Sequence, residues 1–182
     1  MKSFNFSIDI NCDVGEGADN EAQLFPLISS CNIACGGHAG DVDSMERVVR
    51  LAKKYQVKVG AHPSYPDRAN FGRSAMAISP ESLIHSIREQ VSTLTAILQK
   101  EGIGLHHIKA HGALYHEIAK NTAQAENFLQ AASVFGKDIL IYAPYASTIG
   151  KKAIEHGFST AREAFADRNY KADLSLVSRK HP

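Results

Sequence analysis

The sequence predicts an α/β fold built from parallel strands, and three observations carry that reading. Short apolar runs such as Val57 to Ala61 and Leu105 to Ala110 end in turn formers, as strands buried on both faces do. Between these runs lie longer stretches with apolar residues at three- and four-residue spacing, the period of a helix with one buried face. The links are short, so successive strands must run parallel and be joined by helical crossovers, as in a βα barrel or a doubly wound open sheet.

Taken in order, Phe4 to Cys12 alternates, with Phe6, Ile8, Ile10 and Cys12 on one side and Asp9, Asn11 and Asp13 on the other, and stops at Gly15-Glu16-Gly17. That is the period of a strand. Asn20 to Ile28 is expected as a short helix despite Pro26, and Cys31 to Cys35 as a second strand closed by Gly36-Gly37-His38. Met45, Val48, Val49, Leu51 and Ala52 mark a helix from Asp43 to Tyr55, with Asp43 or Ser44 as the expected cap. The third strand, Val57 to Ala61, breaks at His62-Pro63 into a loop. There Pro63 and Pro66 lack the backbone donor and turn the residues before them away from helical dihedrals. Ser79-Pro80 opens the clearest helix, striped by Leu83, Ile84, Ile87, Val91, Leu94 and Leu98 up to Gly102. Leu105 to Ala110 is the fourth strand, followed by one helix from about Leu114 to Phe135. Asp138 to Tyr142, a helix over Ser147 to His156, and Phe158 to Ala164 complete the pattern, and Leu174 to Ser178 is a further strand-like run.

At roughly 30 residues per βα unit, a chain of 182 residues holds about six units, whereas a complete eightfold barrel takes about 250 residues. One domain is expected, its barrel cut short at the carboxyl end. The 20 basic and 19 acidic residues leave no excess for a nucleic-acid or anionic-membrane surface. No apolar run is long enough to span a membrane, and the amino terminus becomes an alternating strand too soon for a signal peptide. A cytoplasmic chain is expected, and its odd count of 3 cysteines suits reduced thiols.

Reactive side chains fall at the carboxyl ends of the strands. Asn11, Asp13 and Glu16 end the first, His38 and Asp41 follow the second, and His62 and Arg73 follow the third. Lys109 and His111 end the fourth; Glu163, Asp167 and Arg168 follow the sixth. In a parallel barrel or sheet these ends share one rim, where ligands bind. Asp13, His38, His62 and His111 together suit a divalent metal such as zinc or manganese, and the same groups equally suit metal-free acid–base chemistry. Lys109 and Arg73 suit a carboxylate or phosphate. Buried in a strand, Lys109 requires a partner such as Asp13 or a bound anion. Asp67-Arg68 reads as a loop-fixing pair, Cys35 as a small apolar filler, and His85 and His106 as packed or solvated rings. No GxxxxGK[ST] loop occurs and no GxGxxG follows a strand.

The blocks NCDVGEG at 11 to 17, NIACGGHAGD at 32 to 41, GAHPSYPDRANFGR at 60 to 73, KAHGALY at 109 to 115 and EAFADRNY at 163 to 170 resemble the signature blocks of the LamB/YcsF family, in family order. That family is identified as the first of the three kinds of subunit of bacterial 5-oxoprolinase. The resemblance implies a glycoside hydrolase/deacetylase-like barrel of about seven parallel strands, working with subunits B and C. It implies ATP-dependent opening of 5-oxoproline to glutamate, with Mg accompanying ATP, and leaves a homo-oligomer open. It implies Asp13, Glu16, His62 and His111 as catalytic residues and His38, Arg73, Lys109, Glu163 and Asp167 as substrate-binding ones. Gly37, Val42 and Ala110 depart from the phenylalanine, proline and proline usual in the family, changes that bear on pocket shape and loop stiffness. Family chains normally run on past this carboxyl end, so the last strands are expected to be missing.

Overall fold

In the computed structural model, which describes residues 8–177, the apolar runs form a single sheet of parallel strands. These are β1 (Asn11–Val14), β2 (Ser30–Ala34), β3 (Lys58–His62), β4 (His107–Ile108), β5 (Leu140–Pro144) and β6 (Ser159–Glu163), side by side in chain order. Lys109, just past β4, reaches both Asp13 on β1 and Glu163 on β6, so the sheet must curl. The result is a half-barrel with β1 and β6 at its edges. The connecting helices are α1 (Glu21–Leu24), α2 (Val42–Tyr55), α3 (Pro80–Glu101), α4 (Gly112–Lys120), α5 (Thr122–Ala132) and α6 (Thr148–Glu155).

The alternation of side chains across the strands separates two environments. One face carries Cys31, Ile33, Val59, Ala61, Ile108, Ile141 and Ala143, all buried, and these join a core with Val48 and Val49 of α2, Leu83, Ile87 and Leu94 of α3, and Phe128 of α5. Burial of each such Leu, Ile or Phe stabilises by about 1.5–3 kcal/mol. The other face is polar, with Asp13, Asn32, Gly60 and His107 in register across four neighbouring strands. The core therefore sits between sheet and helices, and the curled inner face is left to chemistry.

Several expectations need correction. Six strands are present among the described residues, not seven. The run expected from Leu174 makes only an isolated antiparallel bridge, Tyr170 with Leu176. Leu174 has a left-handed φ of 63° and Asp173 accepts hydrogen bonds from Ser175, which makes a turn of the stretch; Ser178 lies outside the described residues. The first strand begins at Asn11 rather than Phe4: Phe4 to Ser7 lie outside the described residues, and Ile8 and Ile10 are exposed because the partner ladder opens only at Ser30. The helix expected over Leu114 to Phe135 is two, since Asn121 is extended at φ −101°, ψ 116° and turns its side chain to cap α5 through the Gln124 amide. Pro26 cuts the first helix to one turn followed by a 3₁₀ turn. The cap of α2 is Asp41, in a reciprocal capping box with Ser44, and not Asp43 or Ser44 alone.

Candidate functional site

His62 is the last residue of β3 and His111 the residue that starts α4, and backbone carbonyls fix the tautomer of each. His62 Nδ1 donates to the carbonyl of Lys109 at 2.8 Å, and His111 Nε2 donates to the carbonyl of Phe71 at 3.0 Å. Their other nitrogens, His62 Nε2 and His111 Nδ1, then both carry lone pairs, and they face each other at 3.0 Å. Glu16 Oε1 joins them, 3.5 Å from His111 Nδ1 and 3.9 Å from His62 Nε2. His38 stacks flat on His111, ring centroids 3.6 Å apart, with its Nε2 3.0 Å from the same Glu16 oxygen. Acceptors gathered this way repel one another unless a proton or a cation lies among them. A backbone carbonyl holding the outer N–H of each imidazole is the usual support of a metal-bound histidine.

The ligand atoms of Glu16, His38, His62 and His111 lie within 4.8 Å of one another, a cluster that could hold a metal ion. The expected set placed Asp13 where the structure places Glu16. Asp13 Oδ1 is already taken by the Asn32 amide at 2.8 Å and the Lys109 ammonium at 3.1 Å, leaving Oδ2 3.4 Å from His62 Nε2. Glu16 rides on a turn pinned from behind, where buried Glu21 accepts the Gly15 amide at 2.6 Å and pairs with Arg47. The loop after β3 is tied by Arg68, which donates to the carbonyls of Gly36 and Gly40, and by Asp67, which accepts from Asn70. That pair fixes loops, though not by bonding each other. Gly112 permits the closest approach, its φ being +58° and its missing Cβ replaced by the carbonyl of Gly72.

Below the rim, Asn32, Gly60 and His107 were not singled out by sequence reasoning. Because Gly60 has no side chain, the His107 ring crosses β3 and donates from Nε2 to Asn32 Oδ1 at 2.7 Å. This turns the Asn32 amide nitrogen toward Asn11 and Asp13. The available signal was a polar residue at every second place of Ser30-Cys31-Asn32, facing a glycine on the next strand. Gly37 has a similar explanation, because a Cβ there would collide with Gln90 and Ser64.

Charge follows from this packing. Burial works to raise the pKa of Asp13, but His62, Lys109 and Asn32 hold it well below the usual carboxylate range. Burial disfavours the Lys109 ammonium, and Asp13 and Glu163 overcome it and raise its pKa. Burial, then the neighbouring His62 and His38, push His111 down to about 3; burial also lowers His38 against the hydrogen bond to Glu16. Tyr115 is raised by burial and by the adjacent Glu163 carboxylate. Cys35 is buried, donates to the Ile33 carbonyl, and is pushed up to about 12.

Above the cluster lies a cavity of about 500 Å³ with Asp13, His62, Lys109 and His111 on its wall and Arg73 and Arg168 beside them. The structure thus brings Asp13, Glu16, His38, His62, Lys109, His111 and Glu163 together, and Arg73 to the same cavity. Asp167 sits on the exposed loop beyond Glu163, and the neighbouring Arg168 is the one that lines the cavity. Asp41 serves α2. No helix among the described residues is long and apolar enough to cross a membrane.

Two comparisons extend this geometry. The model of the LamB/YcsF family matches residues 8–182. The crystal structure of the lactam utilization protein from Thermus thermophilus is similar, with a TM-score of 0.92 and 36% identity over 97% of this chain and 74% of that one.

Proposed function

The chain belongs to the LamB/YcsF family, and from that premise we propose that it is a component of an ATP-dependent 5-oxoprolinase, opening the lactam of 5-oxo-L-proline to L-glutamate. The neighbour named for lactam utilization supports the substrate class. The observation that carries the reading is the cavity in which Lys109, Arg73 and Arg168 stand beside the imidazoles of His62 and His111. A five-membered lactam is a stable amide carrying a carboxylate, and its opening needs that carboxylate held, its carbonyl activated and water delivered by a base.

Arg73, joined by Arg168, is positioned to hold the substrate carboxylate by a bidentate fork. Lys109 supplies positive charge for the oxygen that develops charge at the carbonyl. His62 or His111, with lone pairs turned into the site, takes the proton of the attacking water. Asp13 and Glu16 orient these groups, and His38 and Glu163 complete the substrate's surroundings. Asp167 belongs to that set through the family resemblance alone. ATP enters as co-substrate with Mg, on a complex with subunits B and C, where phosphoryl transfer to the lactam oxygen prepares the carbon for water. In this reading the complete fold is the seven-stranded barrel of the glycoside hydrolase/deacetylase type.

A second reading is a metal-dependent amidohydrolase acting without ATP, favoured by the four facing ligand atoms of Glu16, His38, His62 and His111. Zinc or manganese there would polarise a carbonyl and lower the pKa of bound water. The deciding experiment is glutamate formation from 5-oxoproline by the chain with its partner subunits, omitting each component in turn. Formation only with ATP and all subunits supports the first reading. Chelator-sensitive formation without ATP replaces it by the second, and no glutamate under any combination contradicts both.

A further inference from the structure

Glu163 ends β6 with its side chain only 7% exposed, and just one of its carboxylate oxygens is engaged. Oε2 meets the Lys109 ammonium at 3.3 Å. Oε1 is buried with no hydrogen-bond partner among the described residues. The Tyr115 hydroxyl is near enough for the carboxylate to raise its pKa, yet Oε1 takes no hydrogen bond from it. A buried acceptor left without a donor forfeits the hydrogen bond it had in water, and each such atom in a native structure calls for an explanation. An ionised carboxylate is acceptor-only, so the missing partner is an N–H or O–H donor.

The surroundings narrow that partner. Lys109, which holds Oε2, is itself 3.1 Å from Asp13, so Glu163 stands one side chain away from the histidine cluster. A second cavity of about 790 Å³ is lined by Glu163, Tyr115 and Phe165, and Tyr115 and Phe165 also line the cavity above the histidines. Glu163 therefore stands where the two spaces adjoin. Lys109, Arg73 and Arg168 crowd this region with positive charge, so the donor belongs to a neutral or anionic molecule and not to a cation. A lactam carboxylate fits, and its ring offers one donor, the N–H bonded directly to the carbon that must be attacked.

Resting on the lactam reading, we propose that Glu163 Oε1 accepts the ring N–H of the substrate and so makes the site selective for unsubstituted lactams over the corresponding lactones. In a lactone the same position holds an oxygen whose lone pairs face the carboxylate, and the acceptor stays unpaired. Sites built to bond an N–H reject analogues lacking it far more strongly than apolar pockets reject a missing methylene. The lactone is the sharper probe because it removes the donor without adding bulk.

The experiment is calorimetric binding of 5-oxoproline and of its ring-oxygen lactone analogue to the chain with its partner subunits, for the wild type and Glu163→Gln. The wild type should prefer the lactam by on the order of a hundredfold or more. In Glu163→Gln the amide can turn its NH₂ to the ring oxygen, and the preference should fall below about tenfold. Equal binding of both ligands by the wild type, or an undiminished preference in a folded Glu163→Gln, overturns the assignment to Glu163 and leaves the lactam reading standing. Should the variant not fold, the N-methyl lactam decides with the wild type alone: weak binding supports the assignment and binding equal to the parent overturns it. Binding of no ligand by the wild-type complex overturns the lactam reading, and this assignment with it.

Discussion

At the scale of single residues, Glu16 and Asp13 separate two roles that look alike in the sequence. Both are acids at the end of β1, yet Glu16 faces all three imidazoles while one oxygen of Asp13 is held by Asn32 and Lys109. Zinc titrated into the purified chain should bind at one ion per chain, and Glu16→Gln should weaken it more than Asp13→Asn, as read by calorimetry. An equal loss would return Asp13 to the ligand set. Acid should also destabilise the fold in a definite direction. Burial first, with neighbouring charge, holds His107 well below its ordinary value of 6.5, and His38 and His111 are lowered too, His111 to about 3. These rings are neutral in both folded and unfolded chains above about pH 6.5; below it the unfolded chain takes up the protons first. The stability they contribute is present above that pH and is lost as pH falls toward the folded values. Melting temperatures measured without metal should decline from pH 7 to pH 5, and a flat profile would contradict the buried neutral imidazoles.

At the scale of elements, the strands and helices were legible where local chemistry was unambiguous. Ser79-Pro80 and Gly102 bound α3 as expected, because cap, first-turn proline and left-handed terminus all agree. The break after Lys120 was not legible, since Leu114 to Phe135 keeps a helical apolar period across it and only the extended backbone of Asn121 reveals the seam. That residue is a testable joint: Asn121→Ala should cost about 0.5–2 kcal/mol through the lost cap of α5, measured by denaturant unfolding, and no change would remove it from the helix boundary. The inner face of the sheet was half legible. His62, Lys109 and His111 stood out at strand ends, but the crossing of His107 over Gly60 to Asn32 depends on which strands are neighbours. Gly60→Ala drives a methyl into that ring and should destabilise by about 1–3 kcal/mol, again by denaturant unfolding; a neutral effect would show that the ring need not lie there.

Across the whole molecule, the site exists because parallel strands deliver their carboxyl ends to one rim while the helices bury the opposite face. The sequence placed acids, imidazoles and a lysine at those ends in the right order; the curl that lets Lys109 meet residues of both edge strands is a property of the assembled sheet. Arg168, one place along from Asp167, shows the limit of carrying motifs across, because only the path of the loop decides which neighbour reaches the cavity. The central claim is that His62 and His111 meet in this cavity to open a lactam, and it is tested most directly by glutamate release from 5-oxoproline in the reconstituted complex carrying His62→Ala or His111→Ala. The account predicts turnover reduced by about 10²–10⁴-fold with circular dichroism unchanged; turnover equal to the wild type in either variant would contradict it.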